Sequence, residues 1–359
     1  MKRIGIRQIA KLANVSIGTV DRALNGRRGI SEATRTRVLQ IAKGAQYSPN
    51  LAARSLSVGR ASVHIGVCIP RTAHHFYDQV RDGIMDEARH LEVLGLEVVY
   101  RSVDRFGSEE LETMTEMISS DVSALIIIPA NPVAMAPLID EAEAKGIRVL
   151  CAVSDAPGSS RSVAVCADPV VCGSLAAELM ARFVPEGSSI GIVTGMLHVE
   201  DQRKKTEGFT ERFPQDCPGG RVVSVVEGHE NEEETFRKCL QLLDETPDLA
   251  GLYVNLAIGV PVCHALTARG LAGKIPLITS DIFPEMVPYF ENRAIAASIY
   301  QRPYVQGQAA IRLIVNHLLR NRALPSTYHV NPAIVLRSNL YLFRETRHIV
   351  NANAFPVRG

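Results

Sequence analysis

The chain has no tryptophan, and only 5% of its 359 residues are aromatic. A site that stacks its ligand therefore depends on a few Phe and Tyr side chains. No run reaches the roughly 18 apolar residues of a membrane span. The opening MKRIGIRQIAKLANVS holds neither an unbroken apolar stretch nor a small-residue cleavage site. The expectation is a cytoplasmic, nucleoid-associated protein with no membrane partner. Seven cysteines form no CxxC pair, and several sit in apolar runs such as IGVCIP and RVLCAV. Buried reduced thiols are expected rather than disulfides or metal ligands. Enzyme signatures are missing too. GSSIGIVTG lacks the spacing and the lysine of a phosphate-binding loop, and there is no HExxH and no glycine fingerprint after the first strand. His74 and His75 are adjacent in a loop, which does not suit one metal site. No catalytic residue, no metal and no cofactor is expected.

The net charge of +1 names no partner, but its distribution does. Residues 1–60 hold twelve Lys or Arg against two Asp or Glu, a local charge of +10, which leaves −9 on the remainder. A basic head on an acidic body is the layout of a nucleic-acid binder whose body is repelled by phosphate. The length asks for two or three domains.

Three short helices are read between residues 6 and 46. Ile6, Ile9, Ala10 and Ala13 recur at helical spacing until Asn14 and Val15 interrupt. Ser16 caps a second helix with Val20, Ala23 and Leu24 on one face, and Ser31 caps a third with Val38, Ile41 and Ala42 inward. Helix, tight turn and helix make a helix-turn-helix, whose second helix enters the major groove of double-stranded DNA. Ile17, Gly18 and Arg22 then face base edges, Arg22 with a fork suited to guanine. Ser16, Thr19, Asn25, Thr34 and Arg35 face phosphates. Gly18 costs about 1 kcal/mol against Ala within a helix, which points to close approach of backbone to DNA or to fewer bases read there. The small, polar and basic segment 48–60 reads as a linker.

After Arg60 the pattern becomes apolar, β-branched strands alternating with amphipathic helices. The strand runs are SVHIGVCIP, LEVVYRS, ALIIIP, RVLCAV, SVAVCAD, SIGIVTG, RVVSVVEG, LYVNL, PLITSD and AASIYQ. Such strands form parallel sheets covered by helices on both faces. Ten are too many for one ordinary doubly wound sheet, so two lobes are expected. Ligands of such folds sit at the carboxyl ends of the strands, where His75, Phe76, Asn131, Asp155, Asp281 and Gln301 collect.

The motifs IAKLANVS, TVDRALN, ISEATRTRV and YSPNLAARSL follow one another without gaps and resemble the head and hinge of the lactose-repressor (LacI/GalR) family of bacterial transcription regulators. The resemblance implies that residues 51–56 form a short helix on cognate DNA, with Leu56 wedged into the minor groove. Asn50 and Ala53 join the implied DNA contacts. It continues more weakly to about Gln306, through IIIPANP, VSDAP, EDQRKKTEGF, YVNLAIG, ITSDIF and SIYQRP. There it implies a ribose-binding-protein-like sensor whose cleft is lined by His75, Phe76, Asn131, Asp155, Lys205, Asn255, Asp281 and Gln301. Two positions depart from the family: Lys205 replaces a usual arginine, and Leu256 replaces a common polar partner. Lysine lacks the planar fork, so either Arg203 substitutes or the ligand differs. Phe76, Tyr77 and Phe283 are the stacking candidates.

The expected fold class is therefore α/β: a three-helix helix-turn-helix head and hinge, then a two-lobed periplasmic-binding-protein-like core. The domains are a head at 1–47, a hinge at 48–60 and a core at 61–359. Lobe 1 takes about 61–165 and 299–325, and lobe 2 about 166–298 and 326–359. The expected function is a homodimeric, sequence-specific transcription regulator, a repressor of a sugar or polyol operon. Its partners are a near-palindromic DNA operator and a small-molecule effector, a monosaccharide, polyol or derivative. The alternatives are a solute-binding protein without gene regulation, which leaves the basic head unexplained, and a ligand-processing enzyme, which lacks a locatable carboxylate pair or metal set.

Overall fold

A computed structural model describes residues 6–24, 28–44, 63–71, 74–92, 95–104, 107–256 and 258–344. The chain divides into two compact units, the head helices in one and most of both β-sheets in the other.

The head consists of α1 (Ile6–Ala13), α2 (Ile17–Leu24) and α3 (Glu32–Gly44). Asn14 ends α1 in the left-handed region at φ 50°, and Val15 N donates back to Ala10 O at 3.0 Å. That six-residue closure is how helices commonly stop. Ile9, Ala10, Ala13, Val20, Ala23, Val38 and Ala42 form the head's core, with Ile6, Leu24 and Ile41 packed on it. These are the residues that the helical spacing turns inward.

The body runs β1 (Val63–Pro70), α4 (His74–Leu91), β2 (Leu96–Val103), α5 (Ser108–Ile118), β3 (Ala124–Ile127), α6 (Pro132–Ala144), β4 (Arg148–Ala152) and β5 (Val163–Cys166). It continues with α7 (Pro169–Phe183), β6 (Ser189–Thr194), α8 (Glu200–Asp216), β7 (Arg221–Glu227), α9 (Glu232–Glu245), β8 (Leu249–Val254), α10 (Val260–Ala268) and β9 (Leu277–Ser280). A short 3-10 turn and α11 (Val287–Glu291) then lead into β10 (Ala297–Tyr300), α12 (Pro303–Arg320), β11 (Thr327–His329), β12 (Ala333–Val335) and α13 (Tyr341–Arg344). Among the described residues there are two six-stranded sheets, ordered β11-β5-β4-β3-β1-β2 and β12-β10-β9-β8-β6-β7. Every residue of β3, β4's last four, β5 and β6 is buried, as parallel strands covered on both faces require. β12 runs antiparallel to its neighbour, β10.

The ten expected strands are β1 to β10. The lobe boundaries differ from the expected ones at the far end of the chain. Ala297–Tyr300 pairs with β9 in the second sheet, whereas the sequence reading resumed lobe 1 at 299. Thr327, Tyr328 and His329 pair with Ala164, Val165 and Cys166 in the first sheet, whereas residues from 326 onward were expected in lobe 2. The reason is local: β11 completes the edge beside β5 before the chain crosses once more to β12. The chain thus passes between sheets three times, after β5, after β10 and after β11.

α7 and α8 pack backbone on backbone. A Cβ built on Gly173 would lie 2.1 Å from Lys205 O, and one on Gly208 would lie 2.5 Å from Val170 O. This close approach fixes the face that α8 presents. Gly173→Ala forces the two backbones apart; a loss of about 1–3 kcal/mol of stability is expected from such overpacking, measurable as a lowered midpoint in urea melts.

Candidate functional site

In the head, Ser16 caps α2: its Oγ accepts from Thr19 N at 3.1 Å and shares a 2.9 Å hydrogen bond with the Thr19 hydroxyl. Ser31 and Thr34 repeat the arrangement at α3, at 3.2 and 2.8 Å. While Val20 and Ala23 are buried, Ser16, Ile17, Gly18 and Arg22 are exposed together on α2. Ile17 is an apolar side chain left 47% exposed, as contact with a base methyl needs. A Cβ on Gly18 would meet only Ser16 Oγ, at 3.8 Å, so packing within the chain does not demand glycine there. Thr34 and Arg35 are half-buried, and Arg35 Nε lies 3.4 Å from Glu32 Oε2. Asn25, Asn50, Ala53 and Leu56, with the hinge at 48–60, lie outside the described residues.

In the body, the carboxyl ends of β8, β9 and β10 deliver Asn255, Asp281 and Gln301 to one place, and the first two turns of α8 deliver Asp201 and Lys205. Asp281 sits in the left-handed region at φ 60°. Its Oδ1 accepts from Gln301 N at 2.8 Å and its Oδ2 from Gln301 Nε2 at 2.5 Å. Lys205 Nζ donates to Asp201 Oδ2 at 2.5 Å, and all of these side chains are buried. Burial pushes the Asp281 carboxyl up to about 6, against the pull of Lys205 and of the Gln301 donors. Burial also opposes the charge on Lys205, but the Asp201 and Asp281 carboxylates outweigh it and hold the ammonium protonated. Asn255 Nδ2 donates to Thr206 Oγ1 at 2.9 Å and to Gln202 O at 3.3 Å. A backbone carbonyl only accepts, so the amide orientation is settled and Asn255 Oδ1 faces away. That atom and Asp201 Oδ1 are buried without a hydrogen-bond partner.

The other expected residues are placed as follows. Asp155 is gripped by the fork of Arg161, with Nη2 at 2.6 Å from Oδ2 and Nε on Oδ1. It lines a cavity of about 270 Å³ together with Asp201, Ser154, Glu200 and His329. His75 lies against Phe283, ring centroids 5.3 Å apart, with Nε2 3.5 Å from Glu285 Oε2. These contacts join the two lobes. Phe76 is buried at 4% exposure, edge-on to Tyr77; it packs in the core. Tyr77 instead faces the polar cluster: burial, then the carboxylates of Glu230, Asp201 and Glu110, raises its hydroxyl well above the ordinary value. Asn131 is exposed and caps α6, accepting from Ala134 N at 3.1 Å. Arg203 does not stand in for the family's arginine, because its fork is taken by Glu200 and Glu207, three and four residues away on the surface of α8. Among the described residues, no group of three His, Cys, Asp or Glu side chains is placed to hold a metal ion.

The model for the periplasmic binding protein domain matches residues 65–322, and that for bacterial regulatory proteins of the lacI family matches residues 5–50. The chain belongs to the lacI family of regulators, with a body of the periplasmic-binding-protein domain family. Catabolite control protein A of Priestia megaterium is 24% identical to this lacI-family chain over 328 residues, 88% of this chain and 92% of that protein. The D-ribose/D-allose-binding protein of Pseudomonas aeruginosa is 25% identical over 218 residues, 58% of this chain and 68% of that protein. Among solved structures, the glucose-galactose binding protein GanP of Geobacillus stearothermophilus superposes with a TM-score of 0.71 at 23% identity. It covers 78% of this chain and 99% of its own, which shows the fold. These relatives are a control protein and binding proteins.

Sequence reasoning missed Asp201, Arg161 and Glu110 in the body. Asp201 stands four residues before Lys205, the spacing at which a helix pairs charges, and that was its signal. Glu110 had none beyond its place in the first turn of α5. Glu110 Oε1 accepts from Ala130 N at 3.4 Å, and burial pushes its carboxyl up to about 7. Its folded value lies above the unfolded one, so the folded state binds the extra proton and loses stability as pH rises from about 4.5 to about 7. Glu110→Gln removes that loss. Relative to the natural chain the variant gains stability across that window, by up to roughly 3 kcal/mol at pH 8, read from melts at pH 4.5 and pH 8.

Proposed function

We propose that this lacI-family chain is a homodimeric repressor of a sugar or polyol utilisation operon. It binds a near-palindromic operator and is controlled by a small polyhydroxylated effector held between the lobes. The observation that carries the effector reading is the buried polar cluster at the strand ends, in which Asp201 Oδ1 and Asn255 Oδ1 are acceptors without donors. Buried acceptors are normally satisfied, and hydroxyl groups supply such donors. The names of the relatives, a catabolite control protein and a ribose and allose binder, agree with sugar chemistry. The exposed Ile17, Gly18 and Arg22 on α2 are the reading surface for DNA. Such a protein works in the cytoplasm and performs no chemistry on its ligand. Among the described residues no helix is long and apolar enough to cross a membrane.

Its mechanism is linkage. If effector changes operator affinity by some factor, operator changes effector affinity by the same factor. Recovery and footprinting of fragments of the source genome by the purified full chain, at physiological salt, tests the proposal. A two-fold protected site supports it, and salt-sensitive, sequence-blind binding both with and without sugars and polyols overturns it. On the recovered site, Arg22→Ala is expected to cost about 1–3 kcal/mol and to relax base preference at one position in each half-site, seen in gel shifts against scrambled DNA. Asp281→Asn is expected to keep operator binding and lose the effector response; an unaltered dose curve removes Asp281 from the site.

A further inference from the structure

Four carboxylates, Asp155, Asp168, Glu200 and Asp201, wall the 270 Å³ cavity against a single lining cation, Lys204. Three of them are engaged. Arg161 takes both oxygens of Asp155. Asp168 Oδ1 accepts from Val170 N and Val171 N at the start of α7. Glu200 is held by Lys204 Nζ at 2.8 Å and by Arg203. Asp201 differs from these. Its Oδ2 holds Lys205, but its Oδ1 has no partner, in a side chain only 10% exposed. Ser154 on the same cavity wall is 3% exposed, and its hydroxyl is likewise without a partner.

The unmet demand of the carboxylate and amide is for donors: Asp201 Oδ1 and Asn255 Oδ1 can only accept, while the Ser154 hydroxyl can accept as well as donate. The charge count leans the same way, since Lys205 is the one ammonium set against both Asp201 and Asp281. Asp281 otherwise receives only the uncharged N–H donors of Gln301. An anionic ligand brings further acceptors to the unpartnered Asp201 oxygen, which disfavours phosphorylated or acidic sugars at that point. A hydroxyl satisfies one acceptor. An ammonium brings three donors, and its hydrogen bonds to carboxylate are about twice as strong as neutral ones.

We infer that the effector is a polyhydroxylated amine, an amino sugar or aminocyclitol whose ammonium sits on Asp201 and Ser154. The inference rests on the polyol reading of the same site and narrows it. Calorimetric titration of the full chain tests it with matched compounds. These are D-glucose, D-glucosamine, N-acetyl-D-glucosamine and D-glucose 6-phosphate, the galactose counterparts, and myo-inositol with an inosamine. At least one amine is expected to bind about 10-fold more tightly than its neutral parent, and N-acetylation, which removes the charge, is expected to abolish that gain. Asp201→Asn is expected to bring the amine down to its neutral parent's affinity, and Ser154→Ala, a milder change, to narrow the gap. A neutral parent or phosphate binding as tightly as the amine overturns the inference while leaving the polyol reading in place. Binding by no compound of any class, with the protein folded by circular dichroism, overturns both.

Discussion

A lysine ammonium that is 2% exposed can remain charged only if its surroundings replace the water it has lost. The uncompensated burial of such an ion costs on the order of several kcal/mol, and at Lys205 the compensation comes from two carboxylates on different elements. Asp201 arrives one turn earlier on α8, and Asp281 arrives from the end of β9. Much of the second lobe serves this arrangement. The left-handed backbone at Asp281 aims its carboxyl, Gln301 fixes both oxygens of that carboxyl, and the contact between Gly173 and the Lys205 carbonyl sets the depth at which α8 lies. The result is a rigid set of acceptors whose positions do not depend on any one loop.

Polar side chains at the ends of parallel strands are the usual substrate of this architecture, and here they divide between the lobes unequally. The second lobe supplies the buried cluster. The first supplies Tyr77, Glu110 and the Asp155–Arg161 pair. His75 against Phe283 and Glu285, and Tyr300 Oη donating to Gln79 Oε1 at 3.2 Å, span the two. The chain crosses between the sheets three times, and these polar and aromatic contacts join the lobes as well. A ligand that bridges the cluster and the Asp155 wall adds to those contacts, which is how a molecule of modest size can bias the relation of two large lobes.

Legibility in the sequence followed the range of the forces involved. The head helices and β1 to β10 were readable because each buries a continuous or periodic apolar face, a property of neighbouring residues. β11 and β12, three residues each, carry no pattern of their own and exist only through partners some 160 and 35 residues away, so the lobe boundary between them was misplaced. Asp281, Gln301, Asn255 and Lys205 were found because they end strands or match a motif. Within the RKK triplet, however, sequence alone did not say which side chain turns inward. The α7–α8 contact decides it, burying Lys205 and leaving Arg203 to surface carboxylates. Phe76 and Tyr77 posed the same problem on α4, with the opposite residue of the pair reaching the cluster. Glu110 went unseen because an acidic residue in the first turn of a helix is ordinary; only tertiary packing makes it a buried acid.

The threading of the chain through both sheets has a consequence for cooperativity. Neither lobe is a continuous stretch: the first sheet is finished by β11, from beyond the whole of the second lobe, and the second by β12, reached only after β11 is laid down. Fraying of one edge therefore releases the strand that closes the other. Only three residues separate β11 from β12, so displacing either edge strand pulls on the edge of the other sheet.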